Sequence, residues 1–201
     1  MQEPIQVINP YSGEVVGTCP RATVADVNDA LSRSAEAFKQ WRKKPVAERV
    51  KLQHEATRRI RQEIDSLAHL LSSELGRPLA GCHHEISRSA DLLDFYAQEA
   101  LRLKGEIPLH NLDGEKALVV REPVGVVVAI TPFNYPITLL CMKLGAALPV
   151  GCTVVAKPSE DTPLSTLRLA EIFLEAGFPP AVSQVITGYG FEIGDALVQH
   201  P

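Results

Sequence analysis

A run of β-branched residues in the last third of the chain limits the folds that are open to it. Residues 125–131 read GVVVAIT and lie between Pro123 and Pro132. A half-exposed strand would alternate apolar and polar residues, so this run is typical of a parallel strand buried on both faces. A chain that buries such a strand needs elements packed on both sides of a sheet.

The residues that follow alternate between helical and strand patterns. We predict a buried helix over 137–148, a strand over 152–156, a helix over 163–176, a strand over 184–187 and the start of a helix over 193–199. Thr162 is the expected N-cap of the second helix, and Gly177 its stop. Strand, helix, strand, helix, strand with right-handed crossovers is half of a doubly wound sheet, the usual nucleotide-binding frame.

The first half of the chain reads as helical after a short extended start. Helices are predicted over 24–41, over 46–75 with a break near Asp65, and over 78–103 with Gly105 closing the last one. Thr23 and Asp26 resemble a capping box. Asp113-Gly114 is a turn signal between residues 107–112 and 116–121, which favours a hairpin. The fold class is therefore α/β, a partial Rossmann-like parallel sheet preceded by a helical segment and a β-hairpin.

Composition excludes several classes of protein. The chain has 201 residues, with 20 basic and 24 acidic residues, a net charge of −4 that disfavours nucleic acid as a partner. The longest apolar stretches are too short for a spanning helix, and no secretion signal is visible, so we expect a cytoplasmic protein that does not enter membranes. The four cysteines lack CxxC spacing and are expected to be free thiols. His83 and His84 beside Cys82 do not share a helical face, so no metal is predicted.

The candidate chemistry lies just after the predicted strands, because ligands gather at the carboxyl ends of parallel strands. Asn134 sits between two prolines, where its amide suits either an oxyanion donor or a helix N-cap. Lys157 and Glu160 suit either ribose hydroxyls or a solvated ion pair. The GxGxxxG spacing of residues 188–194 is one residue longer than the common dinucleotide fingerprint, and a tight turn explains it equally well.

Together these segments resemble the aldehyde dehydrogenase superfamily. EPVGVVVAITPFNYP at 122–136, KLGAALPVGCTVVAKPSEDTPLS at 143–165 and EAGFPPAVSQVITGYG at 175–190 are similar, in unbroken order, to the amino-terminal half of that family's cofactor domain. The helical half, from residue 8 to residue 103, is similar too. The resemblance implies a helical part over 1–105, an oligomerisation hairpin over 106–123 in a homo-oligomer, and the first half of an NAD-binding domain over 124–201.

The resemblance also implies roles for particular residues. Asn134 corresponds to the family's oxyanion-stabilising amide. Lys143 corresponds to a lysine linked to proton handling, although a lysine reaching out from a core helix fits equally well. The implied cofactor-binding residues are Thr131, Pro132, Phe133, Lys157, Ser159, Glu160, Gly190 and Gly194. A carboxylate at Glu160 would repel a 2′-phosphate, so NAD is predicted over NADP.

The PFNYP form with ITGYGFEIGDALVQHP is most similar to the branch that handles small phosphorylated, phosphonylated or hydroxylated aldehydes. In its anion-accepting members, a helix arginine and the residue after the asparagine help to hold the charged tail of the substrate. Arg88 and Tyr135 occupy these places. A guanidinium suits such an anion, but Arg88 could equally form an i, i+3 pair with Asp91.

The family's nucleophilic cysteine, general-base glutamate and second glycine-rich motif lie beyond the equivalent of Pro201. Cys141 and Cys152 are expected to be small buried apolar side chains of the core rather than substitutes for that nucleophile. The predicted function is NAD(P)-dependent oxidation of a small aldehyde through a cysteine thiohemiacetal and thioester, to which this chain brings the oxyanion donor and part of the cofactor site. Alone, it is expected to be an inactive portion of a longer protein that binds cofactor poorly. The alternative is a non-catalytic dinucleotide-binding or assembly module.

Overall fold

The structure, a computed structural model, describes residues 2–108 and 117–200. It opens with an antiparallel strand pair, β1 (Ile5–Ile8) and β2 (Val15–Cys19). Four helices follow, namely α1 (Val24–Trp41), α2 (Val46–Gln62), α3 (Ile64–Leu75) and α4 (Leu79–Arg102). The last part alternates as β3 (Val126–Ile130), α5 (Pro136–Ala147), β4 (Thr153–Lys157), α6 (Leu164–Glu175), β5 (Ser183–Val185) and α7 (Gly190–Val198).

Strands β3, β4 and β5 form a parallel sheet in that order, so the predicted α/β fold class is confirmed. Ile130 at the end of β3 lies opposite Lys157 at the end of β4. β4 is buried along its whole length, as a central strand should be. The two crossover helices, α5 and α6, connect parallel strands as the sequence pattern predicts.

The prediction that the first strand of the sheet is buried on both faces is confirmed only in part: Val127 packs against one hydrophobic cluster, and Val126 and Val128 pack against another. Within the described residues β3 pairs with β4 alone. Its three valines are only partly buried, and Ile130 is 42% exposed.

The predicted helix signals are largely confirmed at the amino-terminal half. The Thr23 side chain accepts from the Asp26 N–H, and the Asp26 carboxylate accepts from the Thr23 N–H, which is the predicted capping box. The second helical stretch breaks at Glu63, two residues before the predicted position. Gly76 ends α3 in the left-handed conformation, at a φ of 74°.

Gly105 does not close α4, contrary to the prediction. The helix ends because Leu103 is already extended, with a ψ of 129°. Glu106 and Val119 form an isolated antiparallel bridge just after it, and a Cβ on Gly105 would lie 2.6 Å from the Val119 carbonyl oxygen. Glycine is therefore needed here for close approach of two backbones. The predicted turn at Asp113-Gly114 lies outside the described residues.

The N-terminus of α6 is capped by a distant carboxylate, whereas the sequence pattern predicts Thr162 as its cap. Glu74 at the end of α3 accepts from the backbone N–H groups of Leu164 at 2.7 Å and Ser165 at 3.0 Å. The Thr162 hydroxyl is buried without a partner in the described structure. Burial raises the pKa of Glu74 to about 7, although these hydrogen bonds act in the opposite direction.

The largest hydrophobic cluster draws on both sides of the predicted boundary at residue 105. Trp41 and Leu93 from the helical part join Leu140 and Phe173 from the part that carries the parallel sheet. The Trp41 indole N–H donates to the Leu148 carbonyl at 3.1 Å. The helical part thus packs directly against α5 and supports the chain segment that precedes this helix.

Candidate active site

The predicted polar segments meet at one edge of the parallel sheet. Because Ile130 and Lys157 are opposite in register, the Thr131 N–H donates to the Lys157 carbonyl at 3.0 Å. β5 runs in the same direction, and the Ile186 N–H just after it donates to the Ala156 carbonyl at 2.8 Å. The segments that follow the three strands therefore leave the sheet side by side, as predicted from the parallel topology.

Asn134 is exposed, and its side-chain amide has no hydrogen-bond partner among the residues the structure describes. The N-cap position of α5 belongs to Tyr135, and no side-chain cap bond forms there. The helix-cap interpretation of Asn134 is therefore wrong. The amide is left available to a ligand at the carboxyl edge of the sheet.

The first turn of α5 is instead held by Glu85, a residue of α4. The Glu85 carboxylate accepts from the backbone N–H groups of Ile137 at 3.1 Å and Thr138 at 3.2 Å. Arg77, between α3 and α4, donates to the same carboxylate and to the Asn134 carbonyl. Its guanidinium carbon lies 4.2 Å from the centroid of the Tyr135 ring.

Arg77 and Glu85 belong to the site, although the sequence pattern does not predict a role for them. One signal was present, because Glu85 falls on the apolar face of α4 that also carries Cys82, Ile86 and Ser89. A carboxylate on a buried face needs a positive or N–H partner. The pattern does not say which partner, since Ile137 and Asn134 are about 50 residues further along the chain.

Lys157 is 4% exposed and is the last residue of β4. Its Nζ donates to the Pro158 carbonyl at 3.0 Å and to the Glu160 carboxylate at 3.2 Å. Burial alone would raise the pKa of Glu160, but backbone N–H groups, including that of Gly190, and the Lys157 charge outweigh it and lower the pKa. The alternative interpretation of Lys157 and Glu160 as a solvated ion pair is therefore wrong, because the lysine is buried.

Next to this pair lies a cavity of about 330 Å³, lined by Phe133, Glu160 and Thr162 together with residues of β1. Phe133 is 54% exposed, and Pro132 is exposed beside it. Thr131 is buried, and its hydroxyl has no partner in the described structure. The Ser159 hydroxyl is occupied by Asp161, with which it exchanges two bonds of 3.3 Å.

The glycines after β5 divide into two kinds. A Cβ on Gly188 would lie 2.5 Å from Ile193 Cδ1, so Gly188 allows the turn to pack closely. Gly190 and Gly194 have no atom within 4 Å of such a Cβ, so the side of α7 that carries them is open. The helix begins at Gly190, three residues earlier than predicted.

The family model described as "Aldehyde dehydrogenase family" matches residues 1–201. The chain belongs to the aldehyde dehydrogenase family. It is 41% identical to the mitochondrial succinate-semialdehyde dehydrogenase of Arabidopsis thaliana over 98% of this chain, and 40% identical to the glutarate-semialdehyde dehydrogenase of Pseudomonas putida over 96%. These regions are 37% and 40% of the relatives, so the chain spans about two fifths of their length.

Solved structures of family members superpose closely. An aldehyde dehydrogenase from Brucella melitensis biovar abortus 2308 gives a TM-score of 0.97 at 36% identity, covering 98% of this chain and 41% of that one. An NADP-dependent glyceraldehyde-3-phosphate dehydrogenase from Bacillus halodurans, in complex with NADP, gives a TM-score of 0.96 at 39% identity, covering 99% of this chain and 43% of that one. A betaine aldehyde dehydrogenase from Staphylococcus aureus, in complex with NAD+, gives a TM-score of 0.95 at 33% identity, covering 98% of this chain and 40% of that one.

Among the residues that the family resemblance singled out, Lys143 is not brought to the Asn134 end of α5. It lies seven residues into the helix, about 10 Å from its first residue. It is half-buried and lines an apolar cavity of about 450 Å³ with Val124, Met142 and Cys152. Its role in proton handling stays a prediction.

The cysteines are placed as the sequence predicts. All four are buried free thiols, and burial raises the pKa of the Cys141 thiol. A buried, protonated thiol is a poor nucleophile. In residues 2–108 and 117–200 no group of three or more His, Cys, Asp or Glu side chains could hold a metal ion. None of the helices described is long and apolar enough to cross a membrane.

Arg88 lies on α4 and is exposed. The i, i+3 pair with Asp91 does not form, because Asp91 binds Arg61 at 2.8 Å. Arg88 has no ion-pair or hydrogen-bond partner within the part of the chain that the structure covers. Its neighbour Ser89 is buried and contacts Thr138 at 2.9 Å, which places this stretch of α4 against the first turn of α5.

Proposed function

We propose that the protein containing this chain is an NAD(P)-dependent aldehyde dehydrogenase that oxidises an aldehyde to a carboxylic acid. The observation that carries the proposal is the unpartnered Asn134 amide at the same sheet edge as the Lys157–Glu160 pair. One group suits a developing negative charge on oxygen, and the other suits sugar hydroxyls. The family resemblance implies that the thiolate nucleophile and the general base lie beyond the equivalent of Pro201.

The chemical task of Asn134 is to donate a hydrogen bond to the aldehyde oxygen. When a thiolate adds to the aldehyde carbon, this oxygen becomes negatively charged, so the hydrogen bond strengthens on the way to the tetrahedral thiohemiacetal. Pro132 and Pro136 restrict the backbone on either side of Asn134. A donor held in place before the reaction needs no reorganisation when the charge develops.

The polar groups of the site fit a dinucleotide. The Thr131 hydroxyl is buried and unpartnered, and the open side of α7 at Gly190 and Gly194 lets a ligand approach backbone. Lys157, Ser159 and Glu160 would hold the adenosine ribose, while the backbone of residues 131–133 would line the nicotinamide side. When bound, the nicotinamide supplies the hydride acceptor of the reaction.

We expect NAD to be preferred over NADP because of Glu160. A carboxylate accepts hydrogen bonds from a 2′-hydroxyl but repels a 2′-phosphate. In the complete gene product, the KM for NADP should exceed the KM for NAD by about tenfold or more, a difference of ~1.4 kcal/mol. Glu160→Gln should reduce this ratio, because it removes the charge and keeps the shape.

The matched control is Glu171→Gln on α6, an exposed carboxylate paired with Arg168. This variant should leave the cofactor ratio unchanged. A wild-type enzyme with the lower KM for NADP would contradict the assignment of Glu160. Measuring both KM values at a saturating aldehyde concentration decides the matter.

We further propose that the aldehyde carries an anionic group. Arg88 offers an exposed guanidinium without a partner in the described structure, and two relatives are named for the carboxylate-bearing succinate and glutarate semialdehydes. Guanidinium groups bind carboxylate and phosphate through paired hydrogen bonds. The sequence resemblance to the branch for phosphorylated and hydroxylated aldehydes points to a small polar substrate as well.

Arg88→Met tests this substrate class. A hydrogen bond to a charged group is worth ~1.5–3 kcal/mol, so the KM for succinate semialdehyde should rise about tenfold or more. The KM for propionaldehyde, which has no charge, should stay within about twofold of the wild type. Arg33→Met, on the exposed face of α1, serves as the control for loss of one positive charge. An equal rise for both aldehydes would remove the anion-binding role.

We also propose that the chain contributes three functional parts to the complete protein. Residues 1–105 would support the site, residues 106–123 would join subunits of a homo-oligomer, and residues 124–201 would contribute the first half of the NAD-binding domain. The Glu106–Val119 bridge and the exposed apolar side chains of Ile107 and Leu118, at 71% and 69%, support an assembly role for this segment.

A further inference from the structure

Arg77 makes three contacts around the Asn134 loop. One terminal nitrogen donates to the buried carboxylate of Glu85, the other donates to the Asn134 carbonyl, and the guanidinium plane lies over the Tyr135 ring. We propose that Arg77 is a positioning residue that fixes the loop so that the Asn134 amide faces the aldehyde oxygen. This proposal rests on the function proposed above for Asn134.

The loop depends on Arg77 because it has few other anchors. The Thr131 N–H is bound to the Lys157 carbonyl before the loop, and the Tyr135 carbonyl accepts from the Leu139 N–H after it. Between these points, within the described structure, Arg77 is the one hydrogen-bond partner of the backbone of residues 132–134. The Asn134 side chain adds no bond of its own, so its direction follows that of its backbone.

Arg77 is itself held firmly. The Glu85 side chain is fully buried, and its other oxygen is fixed by the N–H groups of Ile137 and Thr138 at the start of α5. Glu85 thus ties together the arginine and the helix that follows the loop. A displacement of the arginine would have to break contacts with Glu85, Asn134 and Tyr135 at once.

Arginine is required for this combination of contacts. A planar guanidinium can donate to two acceptors from two nitrogens while its face lies on an aromatic ring. A lysine ammonium at the same place could reach Glu85 or the Asn134 carbonyl, but it has no face to stack on Tyr135. Arg77→Lys should therefore restore only part of the function that Arg77→Met removes.

Steady-state kinetics of the complete gene product tests the proposal. Arg77→Met should lower kcat about 10- to 100-fold, since small misplacements of reacting groups have effects of this size. The KM for NAD should change less than about twofold. Arg77→Lys should fall between Arg77→Met and the wild type. The control is Arg102→Met, which removes an exposed arginine at the far end of α4.

A double variant separates positioning from a general structural role. If Arg77 acts through the Asn134 amide, Arg77→Met should have almost no further effect on kcat in an Asn134→Ala background. If kcat of the double variant falls by the product of the two single-variant losses, the proposal is overturned. An unchanged kcat in the Arg77→Met single variant would also overturn it. If Arg77→Met does not fold, the same comparison is made with Arg77→Lys.

Amide hydrogen exchange supplies a readout that does not need catalysis. Peptides covering residues 131–139 should exchange faster in Arg77→Met than in the wild type, while peptides from α1 should not change. Equal exchange in the loop would count against the proposal. If the wild type oxidises no aldehyde, the proposed function fails, and this experiment still decides whether Arg77 orders the loop.

Discussion

Asn134→Ala should lower kcat about 10²–10³-fold and leave the stability of the protein nearly unchanged. Loss of one oxyanion donor has an effect of this size in comparable enzymes, ~3–4 kcal/mol. Folding should be insensitive because the Asn134 side chain is exposed and has no hydrogen-bond partner in the described structure. The variant therefore separates catalysis from stability. The measurements are steady-state kinetics with a saturating cofactor, and urea unfolding.

The control for this substitution is Asn28→Ala, because Asn28 is also an exposed asparagine and lies on α1 rather than on the loop that follows β3. It should keep the wild-type kcat. An Asn134→Ala enzyme with wild-type kcat would show that the amide does not stabilise the transition state. The proposed function would then lose the observation that carries it.

Trp41→Ala should lower the free energy of unfolding by about 3–5 kcal/mol, the usual range for removing a large buried aromatic side chain. Trp41 is 2% exposed at the end of α1 and packs against Phe178 with ring centroids 5.5 Å apart. Its indole N–H also binds the Leu148 carbonyl just after α5. The truncation opens a cavity between the helical part and the part that carries the sheet.

Urea unfolding must be followed by circular dichroism here, because Trp41 is the only tryptophan of the chain. Trp41→Phe keeps an aromatic ring and removes the N–H donor, so it should cost less than Trp41→Ala. Phe191→Ala, at a residue that is 84% exposed, should stay within about 0.5 kcal/mol of the wild type. A loss below about 1 kcal/mol for Trp41→Ala would mean that the site tolerates the cavity.

Features that depend on local pattern and sheet topology could be predicted from the sequence. The strands around Val128 and Val155, the capping box at Thr23 and the position of Lys157 at a strand end follow from residues that are close together in the chain. Parallel pairing then brings Thr131 beside Lys157 without any knowledge of side-chain packing. Local patterns alone do not supply the roles of the site residues. Those expectations came from the family resemblance.

Features that depend on contacts between distant residues could not be predicted. Glu74 replaces Thr162 as the cap of α6, although a local pattern favours the threonine, because tertiary packing brings α3 to the start of α6. The contacts of Arg77 and Glu85 with the Asn134 loop have the same origin.

The two buried carboxylates on the helical part have a consequence for synthesis on the ribosome. Glu74 and Glu85 are made early, yet their N–H partners at residues 164–165 and 137–138 emerge much later. A carboxylate enclosed without partners is strongly destabilising. Helix α3 can therefore complete its packing around Glu74 only after the start of α6 has left the exit tunnel, whereas Glu85 already has Arg77 as a partner when α4 is made.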